Sequence, residues 1–240
     1  MQTCCPHCKS ANIKRNGNTY YKKQNHKCKD CHRQFVLNNA HTIPEDKKAW
    51  IKAALKERLS LRAITRIFKV SLTWLANYAH TLWEKSPENL GLTEEMLSKI
   101  EKLQVFGLQA DELWSFVQKK KRKQWIWVVY DPVHRLVVAM HIGGRGVRDA
   151  KKLWRKIPET LRHCTFETDD WDAYKKIVPK KQHKIGKNLT YYIEGFNATV
   201  RARVSRLVRK TLSFSKLDKW HNLAIQWFFW QFNVERKPYM

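Results

Sequence analysis

Three features of the 240-residue sequence predict a multidomain α+β chain. Two CxxC pairs lie near the N-terminus. Apolar residues recur at helical spacing between residues 42 and 83. After residue 103 the pattern changes to short β-prone runs separated by turns and amphipathic helices. The implied divisions are residues 1–41, residues 42–83, a linker over 84–103, and a larger domain over 104–240.

The N-terminal pairs are "CPHC" (Cys5, Cys8) and "CKDC" (Cys28, Cys31). Each pair lets two thiolates reach one ion from a tight turn, and two such turns complete a tetrahedral Zn²⁺ site. A polar, β-prone segment with a Gly turn lies between them and "RQFVL" follows, which is the layout of a zinc ribbon. So short a unit buries little apolar surface, so its single structural Zn²⁺ supplies much of its stability. Cys4 reads as a bystander and Cys164 as a core residue. His7, His26 and His32 are alternative ligands, read more simply as surface groups.

In the second segment, Thr42 and Glu45 form a capping-box pattern ahead of a helix carrying Ile51, Ala54 and Leu55. Ser60 caps a helix through Phe68, and Ser71 caps another from Leu72 to about Trp83. A helix, a short turn and a second helix with apolar Ala63, Ile64, Ile67, Val70 and Leu75 read as a helix-turn-helix. The second helix would enter a DNA major groove, with Ser71, Thr73 and Asn77 as contacts. "EKSPENLGLTEEMLSKIEK" reads as the linker.

In the third segment, "VFGLQAD", "QWIWVVYD" and "RLVVAMHIGG" read as strands. An amphipathic helix "RDAKKLWRKIP", a fourth strand "CTFETD" and a basic helix "FNATVRARVSRLVRKTLSF" follow. That order is the one found in a ribonuclease-H-like α/β domain.

Charge narrows the function. The chain has 47 Lys+Arg against 21 Asp+Glu, a formal net charge of +26. A field of that sign favours a polyanionic partner, nucleic acid first, with a ribosomal or membrane-surface protein as the alternative. With 43% hydrophobic residues the chain has material for packed cores, which excludes a disordered basic arm. The most apolar run, "LAIQWFFWQFNV", is short for a bilayer span and reads as a core helix. No secretory leader pattern is present, so a cytoplasmic protein without membrane attachment is expected, prokaryotic and nucleoid-associated when on DNA.

Against this basic background three acids are conspicuous. Asp111 ends the first apolar run, Asp169 ends the fourth, and Glu194 enters the basic helix. If the first and fourth strands are neighbours, the two aspartates project side by side and Glu194 completes the group. Close carboxylates raise one another's pKa, and a divalent cation relieves the repulsion. Mg²⁺ (or Mn²⁺) suits such oxygen ligands, and two ions can activate a water or a 3′-hydroxyl and stabilise the leaving oxygen. Asp170 is an alternative to Asp169. Glu112 and Glu167 lie on opposite strand faces from their neighbours and read as supporting or surface groups. Tyr174 reads as a packing or substrate-contact residue. Trp114, Trp125, Trp127 and Trp171 could stack on bases, although most of the 11 Trp belong to the core.

"DELWSFV" (111–117), "TDDWDAY" (168–174) and "IEGFNATVRARVSRLVRKTLSFSK" (193–216) resemble the motifs of insertion-sequence-1-type transposases. The two CxxC pairs and the paired helices resemble that family's N-terminal DNA-binding region. The resemblance implies a DDE-type DNA transposase with Asp111, Asp169 and Glu194 as metal ligands. It also implies an active-site basic residue seven positions after the Glu, here Arg201. Helical spacing independently places Glu194, Asn197 and Arg201 on one face. Asn197, Arg206, Arg209 and Lys210 are then candidate DNA contacts, in a stretch from Gly195 to Leu217 with six Lys/Arg and no acid. Asp170 stands where the family commonly has Gly, which keeps the Asp169/Asp170 choice open. Family members commonly join two reading frames by a frameshift; here one chain carries both parts.

The expected activity is binding of terminal inverted repeats, 3′-end hydrolysis and joining of the 3′-hydroxyl to target DNA, by a homodimer or larger assembly. A zinc-ribbon/helix-turn-helix repressor without catalysis and a structure-specific nuclease of the same fold are the alternatives.

Overall fold

The computed structural model describes residues 4–37, 43–208 and 213–237. Thr42, Arg209 and Lys210 lie outside the described residues. The chain divides into two compact units, Met1–Ala49 and Trp50–Met240.

The first unit carries a three-stranded antiparallel sheet in the order β1 (Ile13–Asn18), β2 (Gln24–Cys28), β3 (Gln34–Val36). Gly17 (φ 66°), at the register irregularity of β1, and Lys22 (φ 57°), in the turn between β1 and β2, take left-handed conformations. Tyr20 and Tyr21 at that tip are 95% and 81% exposed, so apolar burial does not stabilise this unit there. Helix α1 (Glu45–Ala54) spans the boundary between the units.

In the second unit, Ile51 of α1 packs with Ile64 of α2 (Leu61–Phe68) and Leu75 of α3 (Leu72–Glu84), all fully buried. The caps are those the sequence predicts. Ser60 Oγ accepts from Ala63 N–H and Ser71 Oγ from Trp74 N–H, each at 3.1 Å. Lys69 adopts φ 50°, ψ 50° and ends α2, giving the short turn its direction. Within the segment read as a linker, Glu94–Lys102 form a further helix, α4. Thr93 caps it, and Met96 and Ile100, one turn apart, enter the core.

Five strands follow the spatial order β6-β5-β4-β7-β8. The antiparallel β4 (Leu108–Phe116), β5 (Lys123–Asp131) and β6 (Leu136–Gly143) form one half. The short β7 (Phe166–Thr168) runs parallel to β4, and β8 (His183–Ile185) runs parallel to β7. One face packs on α4 and α5 (Val147–Lys156) through Leu108, Ala110, Trp127, Val129 and Leu153. The other packs on α7 (Tyr191–Arg203) and α8 (Asp218–Arg236) through Leu113, Ile126, Val128, Phe196 and Phe229. The apolar run expected to be a core helix is α8. Among the described residues no helix is long and apolar enough to cross a membrane.

Two further expectations change. Asp111 is not the last residue of its strand, because β4 continues to Phe116 against β5. Nor does the basic helix run on toward Phe214. It ends at Arg203; Val204 is extended and Ser205–Leu207 form a 3₁₀ turn. Val204 and Leu207 are drawn into the same core as Phe228 and Phe232, and their burial overrides the helical propensity of the sequence.

Candidate functional site

β7 pairs with β4 only over Leu108–Ala110. Asp111 is the next residue of β4, and Asp169 is the next residue after β7. Parallel pairing therefore stops where both chains present an aspartate. Asp111 lies on the face covered by α7, where Asn197 Nδ2 donates to its Oδ2 at 2.7 Å. Burial pushes the Asp111 carboxyl up to about 6, with the charges of Glu112 and Asp169 adding to the rise. The Asn197 bond opposes that rise without cancelling it. Such a carboxylate gains from a cation.

Asp169 is half-buried, and its Oδ1 accepts from Trp171 N–H at 3.2 Å. Its neighbour Asp170 is exposed and paired with Lys175 at 2.6 Å. Glu194 lies on α7 one turn before Asn197; it is exposed and accepts from Thr190 Oγ1 at 3.0 Å. Among the described residues, the three carboxylates do not close to within 4.8 Å of one another. Asp111 and Asp169 are brought together; Glu194 stands nearby on the helix that holds Asn197. Arg201, two turns along from Glu194, lines a surface recess with Arg58.

Glu112 and its partners are what the sequence reading did not resolve. Glu112 is buried on the face opposite Asp111, with each oxygen engaged. Oε1 receives Arg145 Nε at 2.8 Å and a second guanidinium nitrogen at 2.7 Å. Oε2 receives the Tyr174 hydroxyl at 3.0 Å. The Arg145 guanidinium lies between two rings, 4.4 Å from the Trp125 centroid and 4.1 Å from that of Trp171. Burial and the Glu112 charge keep Tyr174 protonated far above the ordinary phenol range. Glu167 is also buried, receiving Gly107 N–H and Gln109 Nε2, both at 3.2 Å. The tryptophans expected as stacking residues divide. Trp127 is fully buried, whereas Trp125 and Trp171 clasp an arginine.

Asn197 and Arg206, read as DNA contacts, are placed differently. Asn197 is buried, with its amide committed to Asp111. Arg206 lies past the end of α7, in the 3₁₀ turn. Its guanidinium donates to Ser215 Oγ at 3.1 Å and to the Trp220 carbonyl at 3.3 Å, and lies 4.8 Å from the Trp83 ring. Packing of Val204 and Leu207 rotates Arg206 onto these partners. Thr73 and Asn77 of α3 are exposed one turn apart, whereas the Ser71 hydroxyl is used in capping.

In the first unit, the ligand atoms of Cys5, Cys8, Cys28 and Cys31 all lie within 4.8 Å of one another. Cys5 Sγ is 3.6 Å from Cys31 Sγ, and Cys8 Sγ is 3.5 Å from Cys28 Sγ. Tetrahedral Zn–S bonds of about 2.3 Å place sulfurs just under 4 Å apart, so the donor set is compatible with zinc. The Cys8 amide is the largest influence on Cys5 and helps bring its thiol down to about 7. The Cys31 amide lowers Cys28 in the same way. At Cys8 the Ser10 amide also favours the thiolate, but burial and the neighbouring thiols prevail and push it up to about 12. Cys5 and Cys8 are thus pushed in opposite directions, a conflict that a bound cation relieves.

Comparison with known proteins agrees with this architecture. The family model described as IS1 transposase matches residues 105–235. An insertion element iso-IS1n protein InsB from Shigella dysenteriae is 37% identical over 118 residues, covering 49% of this chain and 88% of the relative. An insertion element IS1 protein InsB from Shigella flexneri is 34% identical over 117 residues, again 49% and 88%. The IS1 4 protein InsB of Escherichia coli K12 is 33% identical over 117 residues, covering 49% of this chain and 70% of the relative. The chain belongs to the IS1 transposase family. That membership implies a transposase role, DNA as partner and use of a divalent metal.

Proposed function

We propose that the chain is a DNA transposase of the DDE type, acting on the ends of its own mobile element in the bacterial cytoplasm. The observation that carries this reading is the meeting of Asp111 and Asp169 where the parallel pairing of β4 and β7 stops. The strand order, with three antiparallel strands followed by two parallel ones, supports a ribonuclease-H-like catalytic domain. The proposed divisions are a zinc ribbon over 1–41, a helix-turn-helix over 42–83, a connecting segment over 84–103 and the catalytic domain over 104–240.

In this reading Asp111, Asp169 and Glu194 hold the catalytic Mg²⁺ or Mn²⁺. Two such ions would supply activation of the attacking oxygen and stabilisation of the leaving one. Asn197 holds one oxygen of the Asp111 carboxylate. Arg201, beside Arg58, binds a backbone phosphate. The protein first hydrolyses a phosphodiester at the element's 3′ end. The freed 3′-hydroxyl then attacks target DNA, so one P–O bond is exchanged for another and no outside energy source enters. Thr73 and Asn77 of α3 read the terminal inverted repeats, and the zinc-bound ribbon adds contacts. Pairing of two ends calls for a dimer or larger assembly on DNA.

The test is mobilisation in cells of a resistance marker flanked by the element's ends, with the protein supplied in trans. Asp111→Asn, Asp169→Asn and Glu194→Gln are each expected to reduce mobilisation to background. Wild-type mobilisation by Glu194→Gln would remove it from the ligand set, and inactivity of the wild type would favour a binding-only regulator.

A further inference from the structure

The Asp169 carboxylate is held by a residue outside the proposed ligand set. Its Oδ1 accepts from the Trp171 amide, so the position of Trp171 fixes the Asp169 side chain. The Trp171 ring packs against the Arg145 guanidinium, whose other face meets Trp125 of β5. Arg145 in turn holds Glu112, the residue after Asp111, through two nitrogens on one oxygen. The other Glu112 oxygen receives Tyr174, from the short helix α6 (Asp172–Lys175) that follows Trp171. Glu112 is thus held on one oxygen by Arg145, from the connection between β6 and α5, and on the other by Tyr174, which follows the Asp169 loop.

We propose that Arg145 and Trp171, anchored on Glu112, are positioning residues that set the Asp169 carboxylate against Asp111 for metal binding. The inference rests on the catalytic reading above. β7 is only three residues long and ends before Asp169, so backbone pairing alone does not fix this loop. The sandwich fixes it through a planar cation. Lysine keeps the charge at 145 but cannot offer a flat guanidinium to two rings and a carboxylate at once. Arg145 touches neither aspartate, so its effect reaches the reaction through Trp171. Partners of this kind change metal affinity by about 10- to 100-fold when removed.

The test uses the zinc-loaded full chain and follows Mn²⁺ binding by electron paramagnetic resonance without DNA. Mg²⁺ dependence of end cleavage is measured beside it. Arg145→Lys and Trp171→Ala are expected to weaken the Asp169-dependent Mn²⁺ site by about tenfold and to raise the Mg²⁺ needed for half-maximal cleavage by a similar factor. Binding to the element's ends should stay within about twofold, and Trp171→Phe should keep wild-type metal affinity because it retains the stack. Unchanged Mn²⁺ affinity in both Arg145→Lys and Trp171→Ala overturns the inference, as does a loss of end binding alone, which would make Arg145 a phosphate contact. If wild type and Asp169→Asn bind Mn²⁺ alike, the catalytic reading itself fails and the inference falls with it.

Discussion

Asn197 of α7 donates a 2.7 Å hydrogen bond to Asp111 of β4, across 86 residues of sequence. It joins the helix that carries Glu194 to the strand that carries the first aspartate. Asn197→Ala leaves a buried carboxylate without its donor. The expected cost is about 1–3 kcal/mol in urea unfolding at pH 7, with a marked loss of end cleavage. A variant as stable and active as wild type would show that the bond is incidental.

Asp111 itself should oppose stability when no metal is present. Its carboxyl is raised to about 6 from 3.8, so the folded chain holds this proton more tightly than the unfolded chain. The stabilisation is full below 3.8 and is lost as pH rises through about 6. Asp111→Asn should therefore be more stable to urea than wild type at pH 8 in chelator, by on the order of 1–3 kcal/mol, while being catalytically dead. The advantage should vanish at pH 4. An Asp111→Asn protein less stable than wild type at pH 8 contradicts the assignment of burial as the dominant cause.

His221 should show the opposite sign. It is fully buried on α8, with Nδ1 paired to Ser215 Oγ at 3.0 Å. Burial, and then the Arg206 charge, bring it down to about 3. Stability is full above 6.5 and falls as pH drops toward 3. Below pH 6.5 the penalty grows by about 1.4 kcal/mol per pH unit. His221→Gln should flatten the stability profile between pH 7 and 5, whatever its absolute stability. Parallel profiles for the two proteins would refute this.

Capping and reading should separate on α3. Ser71→Ala removes a cap bond and should cost about 1 kcal/mol in thermal unfolding. Thr73→Ala and Asn77→Ala touch exposed side chains and should leave stability unchanged. Each should weaken binding to the element's ends relative to scrambled DNA by about 1–3 kcal/mol, read by competition at fixed salt. Equal losses on scrambled DNA would mark them as backbone contacts.

Removal of metal from the cysteine cluster should be felt across the ribbon. One Zn²⁺ per chain should be released by thiol modification, and amide signals from β1–β3 should collapse to unfolded positions. Binding energies on the order of 10 kcal/mol stand behind folding of such small units. Dispersed ribbon signals after complete release would show that the sheet does not need the ion.

The features legible in the sequence are those set locally. Ser60 and Ser71 cap because an oxygen three residues before an amide needs only the first turn to form. The four cysteines announce their meeting by spacing. The alternation along β4 correctly separates Asp111 from Glu112 onto opposite faces. What was illegible depends on distant contacts. Helix α4 was hidden because its charges outnumber Met96 and Ile100, whose value appears only against the sheet. The end of α7 is not legible because Val204 and Leu207 look helical until the core beside α8 claims them. Arg145 resembled one more solvated cation in a basic chain; only the fold brings Glu112, Trp125 and Trp171 around it.

The most direct test of the central claim is a cleavage and joining assay with purified protein. The substrates are DNA carrying the element's own ends and a supercoiled target, with Mg²⁺ or Mn²⁺, and Asp169→Asn runs in parallel. The account predicts metal-dependent nicking at the 3′ ends and joined product from the wild type, with neither from the variant. Nicking without joining, or tight end binding with no chemistry, would contradict it.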